Sequence, residues 1–359
     1  MTLKSRIDPE LLAGYELFES LHLLDDIQPD TIVETRERLR ALYIQLRKDL
    51  PKVDGVSFED RMLPRGIRVR VYRKDGAPAP GPAVIWVHGG GMILGTIDTD
   101  DAVCSNYAAR LGAVVVSVDY RLAPEFPHPV PVEDCHSALA WTVANAAALG
   151  VDPARVAIAG SSAGAGLAAA TALYARDHGG PRLAFQCLVY PMLDDRNDTA
   201  SARELAAIAS WSGRSNQTGW NALLAGQAGT PDVSIYAAPA RATDLAGLPP
   251  TLIQVGELDL FRDEDIAYAT RLLRAGVPTE LHVYPGAIHA SDTLAPTSRV
   301  GSRMIKGAHR RACRRARRRA VTSLLAGLLL RGRRGGRRGG RRGFGALGLR
   351  ARSGSGRGA

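Results

Sequence analysis

Gly160-Ser161-Ser162-Ala163-Gly164 sets a serine at the centre of five small residues. The apolar run 156–159 leads into this stretch, and the Ala/Gly-rich segment 163–176 leads away from it. A strand, a turn too sharp for large neighbours and then a helix will lift a serine hydroxyl clear of a sheet for attack on a substrate. A serine hydroxyl is a poor nucleophile at neutral pH. It calls for a base, and the base calls for an acid that fixes its tautomer. His289, at the end of Tyr284-Pro285-Gly286-Ala287-Ile288-His289, follows the last strand-like run and is the expected base. The acid is expected within residues 257–265, after the apolar run 251–255. Asp259 lies just past that strand end and Glu257 is its rival, whereas Asp263, Glu264 and Asp265 read as first-turn helix residues favoured there by the helix dipole.

Charge that develops on a substrate oxygen also needs donors. His88-Gly89-Gly90-Gly91 follows the apolar run 83–87, and its glycines leave backbone N–H groups unobstructed. Gly89, Gly90 and Gly91, joined by the N–H of Ala163, form the candidate oxyanion hole. A phosphate cradle is the competing reading of such a loop, but neither G-x-x-x-x-G-K-[ST] nor G-x-G-x-x-G follows.

These residues require elements to carry them. Residues 67–72 (Ile-Arg-Val-Arg-Val-Tyr) alternate with period two, as a half-buried strand does. The runs 83–87, 113–118, 156–159 and 251–255 are continuously apolar, a pattern suited to parallel strands covered on both faces. Leu188-Val189 lies in another strand, and 280–284 suggests the last. Helical stretches near 98–111, 131–149, 163–177 and 262–275 alternate with them, so the fold class is α/β, a mostly parallel central sheet flanked by helices. Residues 8–50 read as two helices. Asp8 and Pro9 start the first, with Leu11, Leu12, Tyr15, Phe18 and Leu21 on one face. Asp30 or Thr31 opens the second, with Ile32, Leu39, Leu42 and Leu46 as its apolar side. Residues 195–245 break the alternation with Trp211, Trp220 and no clear strand, and are expected to lie over the carboxyl ends of the strands.

Taken together, the chain resembles the hormone-sensitive-lipase-like (family IV) carboxylesterases of the α/β-hydrolase fold. The resemblance rests on residues 88–91, Asp119-Tyr120-Arg121-Leu122-Ala123-Pro124-Glu125, 160–164, Leu248-Pro249-Pro250, 256–265 and 284–289, and covers about residues 50–292. It implies Ser162 as nucleophile, Asp259 as acid and His289 as base, with N–H groups of Gly90, Gly91 and Ala163 in the oxyanion hole. It implies an N-terminal helical cap segment at 1–50, a catalytic domain at 51–330 and a cap insertion at 195–245. It also implies that His88 and the 119–125 segment organise loops beneath the site. Four positions depart from the family pattern. Ser161 stands where Asp or Thr is usual, Met92 where an aromatic residue is common, Leu260 where Pro is usual, and Ala290-Ser291 where Gly-Phe is usual. The Met92 and Ala290-Ser291 departures are expected to alter the pocket walls.

The reaction so implied is hydrolysis of short- to medium-chain carboxylic esters through an acyl-enzyme, by analogy with a confined, capped pocket. The alternatives are a non-catalytic ligand-binding member of the same fold, an inactive remnant, and an amide or lactam hydrolase. No cofactor or metal is expected: Cys104, Cys135, Cys187 and Cys313 contain no C-x-x-C pair. They read as reduced thiols of a cytoplasmic protein. No apolar run reaches the roughly 18–20 residues of a membrane span.

The net charge of +10 is unevenly placed. Residues 299–359 hold 20 Lys or Arg and no acid, which leaves 26 of the 46 basic residues against all 36 acidic ones and an acidic body. From Arg331 the sequence is Arg/Gly low complexity, so 331–359 reads as a disordered tail, and the resemblance implies a terminal helix at 310–330. Dense arginine is compatible with unspecific nucleic-acid binding, but Phe344 is its only aromatic and stacking platforms are missing. The expected partner is therefore a small ester; oligomeric state is not legible.

Overall fold

A computed structural model describes residues 2–24, 26–49 and 53–308. The expectations for 310–330, the 331–359 tail and Cys313 fall outside them. Two N-terminal helices, α1 (Leu12–Leu21) and α2 (Ile32–Asp49), precede strands β1 (Val56–Met62), β2 (Arg68–Lys74) and β3 (Gly81–Val87). Then follow α3 (Asp101–Leu111), β4 (Val114–Asp119), α4 (Val130–Ala144), α5 (Ala146–Leu149), β5 (Val151–Ser161), α6 (Ala163–Asp177) and β6 (Phe185–Val189). Helices α7 (Ala200–Glu204) and α8 (Gly213–Leu223) come before β7 (Thr251–Leu258), α9 (Arg262–Arg274), β8 (Thr279–Ile288) and α10 (Ser291–Leu294). Residues 299–308 are again helical, with Val300, Met304 and Ala308 buried one turn apart.

The eight strands form one sheet in the order β1-β2-β4-β3-β5-β6-β7-β8. β1 pairs with β2, and β2 with β4, antiparallel; the remaining neighbours are parallel. The strands with continuous apolar runs occupy the middle. Ile85, Val116, Ile158, Leu188 and Ile253 are fully buried there, as expected for a sheet covered on both faces.

Two features run against the sequence pattern. β1 was not expected: Ser-Phe-Glu-Asp-Arg-Met is mostly exposed on the sheet edge, so no apolar run announces it. β2 was expected to be half-buried, yet Arg70 is only 6% exposed. Its guanidinium reaches Asp60, Asp98 and Asp101 at 2.6–2.9 Å, and Phe58 lies 4.6 Å beneath it. The polar face of that strand is thus covered by carboxylates from β1, from the β3–α3 connection and from the first residue of α3, because a buried cation must be paired.

α6 is buried along almost its whole length and is built of Ala, Gly, Leu and Thr. A Cβ at Gly164 would come 2.2 Å from Val87 O, and one at Gly166 2.1 Å from Met192 O. The helix can therefore lie against the sheet only with glycine at these positions. That close approach sets where β5 ends and where Ser162 points.

The N-terminal segment is fastened to the rest at defined points. Arg36 of α2 donates to Ile93 O and Ala123 O, both at 2.5 Å, and holds both oxygens of Glu125. Ser215 Oγ donates to Leu24 O and accepts from Ile27 N, and Thr218 Oγ1 donates to Ile27 O. Segment 24–27 is so stitched to α8 of the insertion. Within 195–245, α7 and α8 are joined by turns, and Trp211 and Trp220 are buried.

Candidate active site

Ser162 occupies the single residue between β5 and α6, with φ 55° and ψ −124°. A left-handed backbone at a non-glycine residue costs roughly 1–3 kcal/mol, and it persists where the surroundings over-determine it. Here Ser162 N donates to Val189 O, while Ser162 O accepts from Gly166 N and Met192 N. All the backbone polar groups of the residue are thereby fixed, and its side chain is left to face the loop ends.

His289 follows directly on β8, and its Nε2 lies 3.0 Å from Ser162 Oγ. Its Nδ1 lies 2.8 Å from Asp259 Oδ2. Asp259 stands one residue beyond β7, fully buried, and its Oδ1 accepts from Phe261 N at 3.0 Å. The structure thus brings Ser162, His289 and Asp259 into one hydrogen-bonded chain. Glu257 is elsewhere: its Oε2 accepts from Gly286 N at 2.9 Å, and its side chain is 43% exposed beside Arg6.

Two of the candidate oxyanion donors lie beside the nucleophile: Ala163 is the next residue in the chain, and Gly89 faces Ser162 across the loop. A Cβ at Gly89 would lie 3.4 Å from Ser162 Cβ, so the glycine loop runs past the nucleophile. Among the described residues no acceptor takes the N–H of Gly89, Gly90, Gly91 or Ala163. Buried backbone donors are seldom left unpaired. Beneath the loop, His88 stacks on Tyr120 at 4.3 Å and Tyr120 Oη donates to His88 O. Arg121 grips the buried Asp134 through two nitrogens, which closes the connection that follows β4.

Several residues that hold His289 carried no sequence signal. Tyr190 and Phe261 meet the imidazole edge-on at 4.7 and 5.3 Å. Tyr190 Oη donates to Asp292 Oδ1 at 2.7 Å, and burial pushes the Asp292 carboxyl above its usual range. Only the position of Tyr190 just past a strand's carboxyl end pointed to it. The Ala290-Ser291 departure has a different effect from the one expected. Ser291 is fully buried, and its hydroxyl bonds both Ile288 N and Ile288 O, with Ala290 in the left-handed region at φ 62°. Ser291 therefore closes the turn that carries His289 and is not a pocket wall. Met92 is likewise fully buried. Leu260, in place of the usual proline, accepts a bond from Ser201 Oγ.

Of the acids read as first-turn helix residues, two are buried. Glu264 accepts from Leu193 N and Asp194 N. Asp265 has no hydrogen-bond partner for either oxygen among the described residues. Burial, and then the carboxylates of Glu264 and Asp259, push its carboxyl well above the usual range. A carboxyl so raised binds a proton more tightly folded than unfolded, so its contribution is fully present below the unfolded value near 4 and is lost as pH rises through the raised folded value. Asp265→Asn removes that loss. Its melting temperature should exceed wild type by roughly 2–4 °C at pH 8, the scale of 1 kcal/mol in a domain of 150–250 residues, and by less at pH 5. A difference that stays flat between the two pH values in thermal unfolding would contradict this account.

Among the described residues no group of His, Cys, Asp and Glu is arranged to hold a metal, and no helix is long and apolar enough to cross a membrane.

Comparison with known proteins places this geometry. A family model described as alpha/beta hydrolase fold matches residues 84–292. The chain is 38% identical over 296 residues to esterase LipI of Mycobacterium tuberculosis, covering 80% of this chain and 88% of that one. It is 42% identical over 271 residues to carboxylesterase NlhH of the same organism, covering 72% and 83%. Among solved structures, a bacterial heroin esterase is similar with a TM-score of 0.82 and 41% identity, over 88% of this chain and 100% of that one.

Proposed function

The chain belongs to the hormone-sensitive-lipase-like carboxylesterases of the alpha/beta hydrolase fold, and from that premise we propose that it hydrolyses short- to medium-chain carboxylic esters with Ser162 as nucleophile, His289 as base and Asp259 as the acid that orients it. The observation that carries the assignment is the continuous chain from Ser162 Oγ through His289 to Asp259, at 3.0 and 2.8 Å. The first distance is within reach for proton transfer without rearrangement, and the second is that of the hydrogen bond that orients the imidazole.

In the first step His289 Nε2 takes the Ser162 proton as Oγ bonds to the acyl carbon. The carbonyl oxygen gains the negative charge and is met by N–H groups of Gly90, Gly91 and Ala163, which have no acceptor among the described residues. Collapse expels the alcohol, which leaves with the proton from His289. Water then repeats the sequence: His289 removes its proton, the oxygen attacks the acyl carbon, and Ser162 recovers its proton as the acid leaves. Asp259 stays ionised and stabilises the imidazolium in both steps. Neither step calls for a cofactor.

The preference for shorter acyl chains is supported by the apolar insertion between β6 and β7, where Leu205 and Ile208 are fully buried. A cytoplasmic setting is supported by Cys104, Cys135 and Cys187, which are free and buried. The test is a series of p-nitrophenyl esters from acetate to palmitate, with an alkyl phosphonate fluoride to label the nucleophile. Turnover highest between acetate and octanoate, and label on Ser162, are expected. No turnover of any ester, or label on another residue, overturns the reading.

A further inference from the structure

The loop 88–91 poses a mechanical problem. Gly90 and Gly91 lie in the left-handed region, at φ 114° and 60°, and bring no side chains with which to fix themselves. Their own N–H groups must stay unpaired if they are to meet a substrate oxygen. Glycine also has the most conformational freedom to lose. A loop of this kind can be held only by what packs on it and by its carbonyls. Gly90 O accepts from Ile93 N and Leu94 N, which fixes one side.

The other side is supplied by the insertion between β6 and β7. The Trp211 indole lies directly on Gly91: a Cβ there would come 2.3 Å from Trp211 Cη2 and 2.4 Å from Cζ2. Gly219 of α8 lies against the same residue, where a Cβ would fall 2.7 Å from Gly91 O. The indole is itself oriented. Its Nε1 donates to Asn216 Oδ1 at 3.1 Å, and Asn216 Nδ2 donates to Asn197 Oδ1 at 3.1 Å. α8 is tied in turn to residues 24–27 through Ser215 and Thr218.

We infer that Trp211 and Gly219 are positioning residues for ester hydrolysis: together they clamp the Gly91 peptide, so that seating of the insertion and completion of the oxyanion hole are one event. The inference rests on the reading of 88–91 as the oxyanion hole.

The experiment compares Trp211→Ala, Trp211→Phe and Gly219→Ala with wild type, each checked for a cooperative melt. Two quantities are read: kcat and KM on p-nitrophenyl acetate, butyrate and octanoate, and the inhibition constant of an aryl trifluoromethyl ketone. That ketone adds Ser162 Oγ to its carbonyl carbon while the hydroxyl proton passes to His289, which leaves an alkoxide for the hole. Trp211→Ala should lower kcat about 10- to 100-fold, less than the roughly 100- to 1000-fold cost of deleting a donor outright. It should weaken the ketone by a similar factor and leave KM within about threefold. Trp211→Phe, which restores a flat ring over Gly91, should recover most of the loss. Gly219→Ala pushes on Gly91 O from the other side and should shift kcat and ketone binding in the same direction. It carries the test by itself if Trp211→Ala does not fold. Folded variants with kcat and ketone affinity within twofold of wild type overturn the inference. So does a change confined to KM that grows with acyl length, which would make Trp211 a pocket wall. Failure of the underlying reading looks different, since wild type itself would then bind the trifluoromethyl ketone no tighter than the matching methyl ketone.

Discussion

Ser162→Ala and His289→Ala should each lower kcat on a short p-nitrophenyl ester by about 10⁴- to 10⁶-fold, and the double variant should be no slower than the worse single one. Serine and histidine act as one device. Without the imidazole the hydroxyl keeps its proton, and without the hydroxyl the imidazole has nothing to activate. Loss of either member therefore costs about as much as loss of both, on the order of 10⁶ where such pairs have been taken apart. What survives is the residual 10³- to 10⁴-fold advantage over water that binding and the oxyanion hole supply by themselves. The 3.0 Å contact between His289 Nε2 and Ser162 Oγ is the structural ground for expecting this unit. A single variant that keeps more than about 1% of kcat, or effects that multiply in the double variant, would show that the two do not share a proton. Burst kinetics with wild type separates the acylation step from deacylation.

The parts of this site that were legible in the sequence are those whose chemistry dictates their neighbours. Ser162 was legible because a strand-to-helix turn this sharp tolerates only small residues around it. His289 was legible because it follows the last strand, where a side chain can reach the loop ends. Asp259 is favoured over Glu257 in the sequence only by its place just past an apolar run and by the family resemblance, since both stand near the end of that run. The choice depends on how far β7 extends: the strand runs to Leu258, so Glu257 lies at the register shift between Gly256 and Leu258 and meets the Gly286 amide of β8, while Asp259 leaves the sheet toward His289. β1 escaped notice because an exposed edge strand carries charges in place of an apolar run, and Arg70 misled because its partners come from distant segments. The contacts of Trp211 with Gly91 and of Tyr190 with His289 and Asp292 join residues far apart in sequence. Nothing in the local spacing of a tryptophan in a Gly/Ala-rich insertion tells that its ring will rest on a glycine 120 positions earlier.

The choice of acid gives the second large effect. Asp259→Asn should lower kcat by about 10⁴-fold with the fold intact, whereas Glu257→Gln should change it by no more than about threefold. The reason lies in the second oxygen of Asp259. Oδ1 accepts from Phe261 N at 3.0 Å while Oδ2 faces His289 Nδ1 at 2.8 Å. An asparagine must keep its one carbonyl oxygen on the Phe261 N–H, since the reverse orientation sets two donors against each other in a fully buried place. Its amide NH₂ then faces His289 Nδ1 and donates to it. The neutral imidazole is forced to carry its proton on Nε2, pointed at Ser162 Oγ, where it can no longer accept the serine proton. Geometry and packing survive, yet the tautomer is wrong. Glu257 has no such leverage. A glutamine there can still accept from Gly286 N, and what is lost is an ion pair to Arg6 at 3.8 Å between half-exposed side chains, worth about 0–1 kcal/mol. The reverse outcome, with Glu257→Gln crippled and Asp259→Asn active, would move the acid to the other carboxylate and undo the order in which the three groups are read.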